Sequence, residues 1–246
     1  MGGGLNLNNY LSRAELDEIS EGLIKVYAEM NPKKIIQNID IEHFITQFLM
    51  LNIEYASFAE SDSGRIGFTA DGETPLLVYY DGKIRPVVFP KNTIVLDKFL
   101  LSEKEYGRRR FTMSHEASHF ILGKMKLKQD TARFHTEFDN EREYTKDELV
   151  QMFHFAEWQA DTMGASLLMP KFIVEKSLGK FTDFKSIKIY GDNTFTAKDK
   201  SIIRYMAKYL GVSYKALMIR LTHLDMFEKH DISEYISQEL GFGGAC

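Results

Sequence analysis

The chain contains 246 residues, 44% of them hydrophobic and 27% charged, and its formal net charge is −4. This is the composition of an ordinary globular protein with one large domain, or one domain and a small appendage. No apolar run is long enough to span a bilayer, no secretory signal is expected, and the acidic charge gives no general reason to bind nucleic acid. A single cysteine, Cys246, excludes an intramolecular disulfide framework, so we expect a cytoplasmic protein.

The N-terminal part of the chain predicts two helices. Ser12 with Glu15 forms a potential capping box at the start of a helix over residues 12–30. The predicted buried stripe of this helix consists of Leu16, Ile19, Leu23 and Val26. A second helix is expected from about residue 40.

Residues 52–100 change to short segments rich in Val, Ile, Phe and Tyr, separated by turn sequences such as Asp71-Gly72 and Asp81-Gly82. This pattern predicts a small antiparallel meander of strands. From about residue 103 the sequence is mainly helical again. Residues 179–195 are the exception, because they have no helical stripe and are predicted to act as a linker.

The decapeptide FTMSHEASHF, residues 111–120, contains the spacing HExxH. On a helix predicted to end at Gly123, His115 and His119 lie one turn apart on one face, so both imidazoles can bind one zinc ion. Glu116 is then the general base that takes the proton from metal-bound water. Chance produces this pattern in on the order of one in a hundred chains of this length, so a third ligand is needed to support the assignment.

A second long helix is predicted over residues 146–169. A capping box of Thr145 with Glu148 marks its start, and Pro170 ends it. Small residues near one face would let this helix approach the histidine helix closely, as a short glutamate ligand requires. These small residues are Ala160, Gly164 and Ala165.

Glu157, in the middle of this second helix, is the candidate third ligand. A helix carboxylate is usually solvated, but the apolar residues around Glu157 in the sequence indicate burial, which requires a partner or a metal. These apolar residues are Phe153, Phe155, Trp158, Leu167 and Leu168. Asp161, one turn after Glu157, is placed to accept a hydrogen bond from the second ring nitrogen of a ligating histidine.

Together, RRRFTMSHEASHFILG (108–123) and EWQADTMGASLLMP (157–170) resemble the paired motifs of the ImmA/IrrE family of metallopeptidases. The resemblance covers roughly residues 40–225. It implies zinc ligands at His115, His119 and Glu157, a catalytic base at Glu116, and a gluzincin-like site in which Asp161 supports a histidine. It also implies a protein substrate, a DNA-binding repressor of a mobile element or a stress response.

Two positions depart from the family pattern. Ser118 stands where a glycine often precedes the second histidine, and Gly164 stands where an aromatic residue is expected. Neither is a presumed ligand, but both could reshape the helix packing and the cleft.

The remaining histidines and one tyrosine have less specific interpretations. His43, His223 and His230 are predicted to be surface or interface residues. Three residues between the two motif regions could stabilise the developing oxyanion, and the sequence does not choose among them. They are His135, Tyr144 and His154, and for each a structural role is favoured.

Residues 201–227 have the pattern of a helix-turn-helix with its turn at Gly211. Its predicted core consists of Ala207, Leu210, Val212 and Leu217, and its second helix would expose Tyr214, Lys215 and Met218. Base-reading side chains are scarce, and the available cations are Arg204, Lys208, Lys215 and Arg220. We therefore expect helical packing on the peptidase or on a partner rather than DNA binding. Cys246 is not favoured as a fourth zinc ligand.

The sequence thus predicts an α+β fold. A small antiparallel sheet packs on a mainly helical, zincin-like metallopeptidase domain at residues 1–178, followed by a linker at 179–200 and a helix-turn-helix-like extension at 201–246. The predicted function is that of a zinc-dependent endopeptidase. The alternative is a non-catalytic regulator that binds a repressor or DNA. No oligomeric state is predicted.

Overall fold

The computed structural model describes residues 11–30, 37–59, 66–129 and 146–242, without the side chains of 126–129 and 146–153. The chain divides into two compact units. The first comprises Met1–Pro32 and Asp40–Leu168, and the second comprises Lys33–Ile39 and Met169–Cys246. Across the described ranges, every helix is too short or too polar to cross a membrane.

The first unit combines helices with small sheets. Its helices are α1 (Arg13–Glu29), α2 (Ile41–His43), which continues as a π-helix (Phe44–Phe48), α3 (Tyr106–Gln129) and α4 (Lys146–Leu168). Its strands are β1 (Asn52–Ala56), β2 (Gly67–Ala70), β3 (Pro75–Tyr80), β4 (Lys83–Val88) and β5 (Thr93–Asp97). The mixture of helices and small sheets confirms the coarse fold class.

Helix α1 begins with the predicted capping box, in which the Ser12 hydroxyl accepts from the Glu15 amide and the Glu15 carboxylate accepts from the Ser12 amide. Its buried face differs from the predicted stripe, because Val26 is 50% exposed. The buried residues are Leu16, Ser20, Ile24 and Tyr27. The buried face is rotated from the predicted stripe because α1 packs against α4, where Ser166 donates a hydrogen bond to Asp17.

The sheet is not wholly antiparallel, so that part of the prediction is wrong. The strand order is β1-β5-β2, with β1 parallel and β2 antiparallel to β5. Strands β3 and β4 form a separate antiparallel hairpin. Turn sequences specify the direction of neighbouring strands only, whereas the long connection from β1 lets β5 return in the same direction between β1 and β2.

Helix α3 runs through Gly123, which was predicted to end it. Among the described residues, no atom outside the helix's own backbone lies within 4 Å of the position that a Cβ at Gly123 would occupy, and Gly123 does not have the positive φ of a helix C-terminal glycine. Helix α4 does end before Pro170, as predicted. Thr145, the predicted cap of α4, lies outside the described residues.

Helices α3 and α4 approach each other closely at Gly164. A Cβ at this position would lie 3.2 Å from the backbone nitrogen of His115 and 3.3 Å from the carbonyl carbon of Ser114. The buried Ser114 hydroxyl donates to the Gly164 carbonyl at 2.9 Å, and the buried Ser118 hydroxyl donates to the Ser114 carbonyl at 2.7 Å. The contact therefore favours a glycine on α4, since a Cβ would meet backbone atoms at less than the ordinary contact distance, and a hydrogen bond across the two helices fixes it.

The second unit contains α5 (Lys171–Thr182), α6 (Ala197–Leu210), α7 (Tyr214–His223) and α8 (Ile232–Glu239). Strands β6 (Ile187–Tyr190) and β7 (Phe227–His230) pair in parallel. Residues 179–200, predicted to be a linker, hold the end of α5, all of β6 and the start of α6. The division of the chain into a peptidase domain, a linker and an extension remains a prediction.

Helices α6 and α7 meet at Gly211, whose φ of 68° ends α6 in the left-handed conformation. Ala207, Leu210 and Leu217 are buried as expected. On α7, Lys215 is exposed, whereas Tyr214 and Met218 are partly buried. The helix-turn-helix interpretation of this pair remains a prediction.

Arg220 is 3% exposed, and its Nε donates to the Met169 carbonyl at 2.9 Å. This guanidinium belongs to the interior of the second unit and is not a surface cation. Arg220 is therefore not among the cations that could contact the phosphates of DNA.

Replacing Gly164 by leucine should lower the free energy of unfolding by roughly 1–3 kcal/mol, because the added side chain meets backbone atoms of α3 that cannot rotate away. The matched control is Gly22→Leu at an exposed position of α1, where no atom of the described residues outside the helix backbone lies within 4 Å of the Cβ position. This control should raise the free energy of unfolding by up to about 1 kcal/mol through helix propensity. Urea unfolding in excess chelator measures both changes, and equal stability of Gly164→Leu and the native chain would contradict the close contact.

Candidate metal centre

The two histidines of HEASH direct their Nε2 atoms toward a common point on one side of α3. The two Nε2 atoms are 3.0 Å apart. The ring centroids are 4.7 Å apart and the rings are nearly perpendicular, at 79°. Their spacing of four residues produces this arrangement, because residues one helical turn apart share a face.

Helix α4 brings Glu157 to the same point. Its Oε2 lies 3.3 Å from His115 Nε2, and its Oε1 lies 3.4 Å from His119 Nε2. Within the described part of the chain, these three residues are the one group of three or more potential ligands whose donor atoms lie within 4.8 Å of one another.

The donor set fits a zinc ion. Zinc binds imidazole nitrogen and carboxylate oxygen at about 2.0–2.2 Å with tetrahedral angles, which places neighbouring donor atoms roughly 3.3 Å apart. The three separations of 3.0, 3.3 and 3.4 Å are close to this value. Three protein donors leave the fourth tetrahedral position for water or substrate, as in catalytic zinc sites.

Asp161 contacts the other side of the His115 ring. Its Oδ1 lies 2.8 Å from His115 Nδ1, so the carboxylate can accept a hydrogen bond from the ring and leave Nε2 facing Glu157 and His119. His115 precedes His119 along α3, whereas the partner of His115, Asp161, follows the partner of His119, Glu157, along α4. The antiparallel crossing of α3 and α4 therefore places both carboxylates beside the histidine pair.

The carboxylates also determine the electrostatics of His115. Burial opposes protonation of the ring, but the hydrogen bond to Asp161 and the charges of Glu116, Asp161 and Glu157 outweigh it and raise the pKa of His115 above its ordinary value. A potential that favours a proton at this point also favours a metal cation.

Glu116 is 8% exposed and points toward β2. The Thr69 hydroxyl donates to Glu116 Oε2 at 2.7 Å. At Gly67, a Cβ would lie only 2.6 Å from Glu116 Oε1, so this strand passes directly against the carboxylate. Sequence reasoning missed both strand residues. The one available signal was the glycine within a predicted strand, which is typical of a close approach.

The reason given for Glu157 from the sequence was wrong in one respect. Its side chain is 38% exposed, and its neighbours Phe155 and Trp158 are 38% and 36% exposed. Glu157 is therefore partly exposed and is not enclosed in an apolar interior. Leu167 and Leu168 are fully buried, but farther along α4.

The other residues considered from the sequence lie elsewhere or outside the described ranges. His154 is exposed on α4, one turn before Glu157. His43 bonds with Tyr27, and His230 lies between Glu228 and Glu234. His223 is exposed at the end of α7. His135, Tyr144 and Cys246 fall outside the described residues.

Comparison with known proteins places this centre in a family. No match is found among curated proteins. The model of the Peptidase M78 family, described as the IrrE N-terminal-like domain, matches residues 52–222, which is more than half of the chain. The matched region contains β2, α3 and α4 and hence every residue of the candidate centre. The chain therefore belongs to the Peptidase M78 family of IrrE N-terminal-like domains, as the resemblance of its paired motifs predicted.

Proposed function

We propose that this protein is a zinc-dependent metallopeptidase that hydrolyses a peptide bond within a protein substrate. Membership of the Peptidase M78 family supports peptidase activity. The observation that carries the zinc assignment is the triangle of donor atoms from His115, His119 and Glu157, with sides of 3.0–3.4 Å. A helix pair held together for packing alone gives no reason for three such donors to converge.

The three converging side chains would hold the metal through His115 Nε2, His119 Nε2 and one oxygen of Glu157. A bound zinc ion supplies Lewis acidity, which polarises the scissile carbonyl and lowers the pKa of bound water. Asp161 holds the proton of His115 on Nδ1 and so keeps the Nε2 lone pair available.

Glu116 performs the proton transfer in this proposal. Its carboxylate accepts a proton from the attacking water and delivers it to the leaving amine. Glu116 lies beside His115 in the sequence but is not one of the three converging donors, and its carboxylate accepts a hydrogen bond from Thr69 of β2. This separation of base and ligand roles favours a catalytic centre over a purely structural metal site.

An extended substrate would pair with β2. Strand β5 cannot take this role, because it lies between β1 and β2 and has both edges occupied. Strand β2 pairs with β5 on one side, and among the described residues it has no strand partner on the other. It also passes against Glu116, so a peptide added to this edge would lie beside the base.

The substrate proposed from the family resemblance is a DNA-binding repressor of a mobile element or a stress response, cleaved in the cytoplasm. A non-catalytic regulator that binds a repressor is the alternative, and it would have no need of Glu116. Direct DNA binding is disfavoured. With Arg220 buried, the exposed lysine and arginine residues of the segment 201–227 are Arg204, Lys208 and Lys215, in a chain of net charge −4.

The purified protein is expected to hold about one zinc ion per chain, because three protein donors and one open position complete a catalytic shell. His115→Ala, His119→Ala and Glu157→Ala should each lower the zinc content measured by elemental analysis. His223→Ala, which removes an exposed histidine of α7, is the matched control and should retain the metal. Unchanged zinc in all three ligand variants would refute the ligand set.

Glu116→Gln should abolish cleavage and retain the zinc, since the amide is nearly isosteric but cannot accept the proton of water. The assay incubates the native chain and the variant with the repressor encoded beside the gene and detects fragments by mass spectrometry. Cleavage by the variant at the native rate would exclude Glu116 from the mechanism. If the native chain binds the repressor without cutting it, the non-catalytic alternative is correct.

Asp161→Asn should weaken zinc binding by roughly 10–100-fold, because the change affects only the group that orients His115. Competition with a graded series of chelators measures the affinity. Asp183→Asn, which alters a carboxylate at the end of α5, is the control. Equal affinity of Asp161→Asn and the native chain would show that Asp161 does not support the ligand.

A further inference from the structure

We infer that Thr69 is a positioning residue that orients the Glu116 carboxylate at the metal centre. The inference rests on the proposed function and adds a residue of β2 to it. Thr69 lies outside both helical motifs, 47 residues before Glu116. Neither its sequence context nor the HExxH spacing points to such a role.

The hydrogen bond from Thr69 is directed at the carboxylate. Its hydroxyl oxygen lies 2.7 Å from Glu116 Oε2 and 3.3 Å from the Glu116 carbonyl oxygen. A hydroxyl has one proton to donate, and the shorter distance to a charged acceptor identifies Oε2 as the preferred partner. Glu116 is 8% exposed, so a nearby donor stabilises a carboxylate that has lost most of its hydration.

Gly67 restricts the same carboxylate from a second direction. A Cβ at Gly67 would lie 2.6 Å from Glu116 Oε1 and 3.0 Å from Glu116 Cγ. The glycine therefore leaves the space that the glutamate side chain occupies. The strand is itself fixed, because Gly67 pairs with Leu96 and Thr69 with Ile94 of the central strand.

These two contacts restrict the Glu116 carboxylate in different ways. The backbone at Gly67 limits how far the carboxylate can move toward the sheet, and the Thr69 hydroxyl selects one rotamer within the remaining space. A base that must meet a water molecule at hydrogen-bond distance gains from such restriction, since small displacements of a reacting group are costly. Loss of the hydroxyl should therefore weaken interactions of Glu116 with a molecule at the centre while the metal ligands stay in place.

The experiment uses the full chain loaded with Co²⁺, whose visible spectrum reports ligand binding, and acetohydroxamate as the probe. This small molecule chelates a metal and presents a hydroxyl to an adjacent base, so its affinity depends on the position of Glu116. Thr69→Val keeps the shape and removes the donor, and it should bind acetohydroxamate about tenfold more weakly than the native chain. Thr69→Ser restores the donor and should bind within about twofold of the native chain.

Thr112→Val is the matched control, because it removes a hydroxyl of α3 that donates to the Arg108 carbonyl and not to Glu116. It should bind the probe as the native chain does. Cobalt content is measured for every variant, and Thr69→Ala provides a second donor-free variant if Thr69→Val does not fold.

The outcomes distinguish a failure of the proposed metal centre from a failure of the role of Thr69. A native chain that takes up no Co²⁺, or that does not bind acetohydroxamate, overturns the metal centre and the role of Thr69 with it. Equal affinity of the donor-free variant and the native chain overturns the role of Thr69 alone. Equally weak binding by Thr69→Ser and Thr69→Val also overturns it, since the hydroxyl would then not be the responsible group.

Discussion

The close antiparallel contact between α3 and α4 determines the geometry of the candidate centre. A glutamate reaches a metal held by two histidines only if the two helix backbones lie very near each other, and Gly164 provides this proximity. The hydrogen bond from Ser114 to the Gly164 carbonyl fixes the position along the helix. Gly164, which departs from the family pattern at this position, is thus favoured by the close packing of the two helices in this chain.

The sheet also contributes to the centre, through the contact of β2 with Glu116. Helix α3 carries both histidines and Glu116, but it presents them to different neighbours. His115 and His119 face α4, whereas the carboxylate of Glu116 faces β2. Adjacent residues of a helix point about 100° apart, so one short motif can supply a ligand to one element and a base to another. In this chain a helix and a strand therefore flank the HExxH motif on these two faces.

Local periodicity determined how much of the candidate centre could be predicted from the sequence. The helical positions of His115, His119, Glu157 and Asp161 follow from spacings of four residues, which depend on neighbouring residues alone. The family resemblance then linked the two helices. Thr69 could not be found in this way, because its contact with Glu116 depends on the packing of a strand against a helix far away in the sequence.

Other errors of the sequence-based prediction also arise from contacts between residues that are far apart in the chain. The parallel pairing of β1 with β5 depends on a connection that the turn sequences do not describe. The buried face of α1 is chosen by its contact with α4, in which Ser166 binds Asp17, and not by apolar residues alone. The exposure of Glu157 likewise depends on tertiary packing around α4. Its apolar sequence neighbours Phe155 and Trp158 turn to other faces of α4 and do not cover it.

The charge of the centre explains why Asp161 belongs beside a ligand. Burial opposes protonation of His115, but the hydrogen bond to Asp161 and the charges of three nearby carboxylates outweigh it and raise the pKa of His115. These carboxylates are Glu116, Asp161 and Glu157, and a proton therefore competes with a metal for this ring. The competition is for Nε2, because the neutral ring already holds one proton on Nδ1 and the raised pKa describes the addition of a second proton. Asp161 binds Nδ1, which holds the proton on the side of the ring away from Glu157 and His119. The carboxylates then attract a cation to Nε2 without requiring that His115 lose its Nδ1 proton, and this division lets one ring serve both the metal and the helix contact.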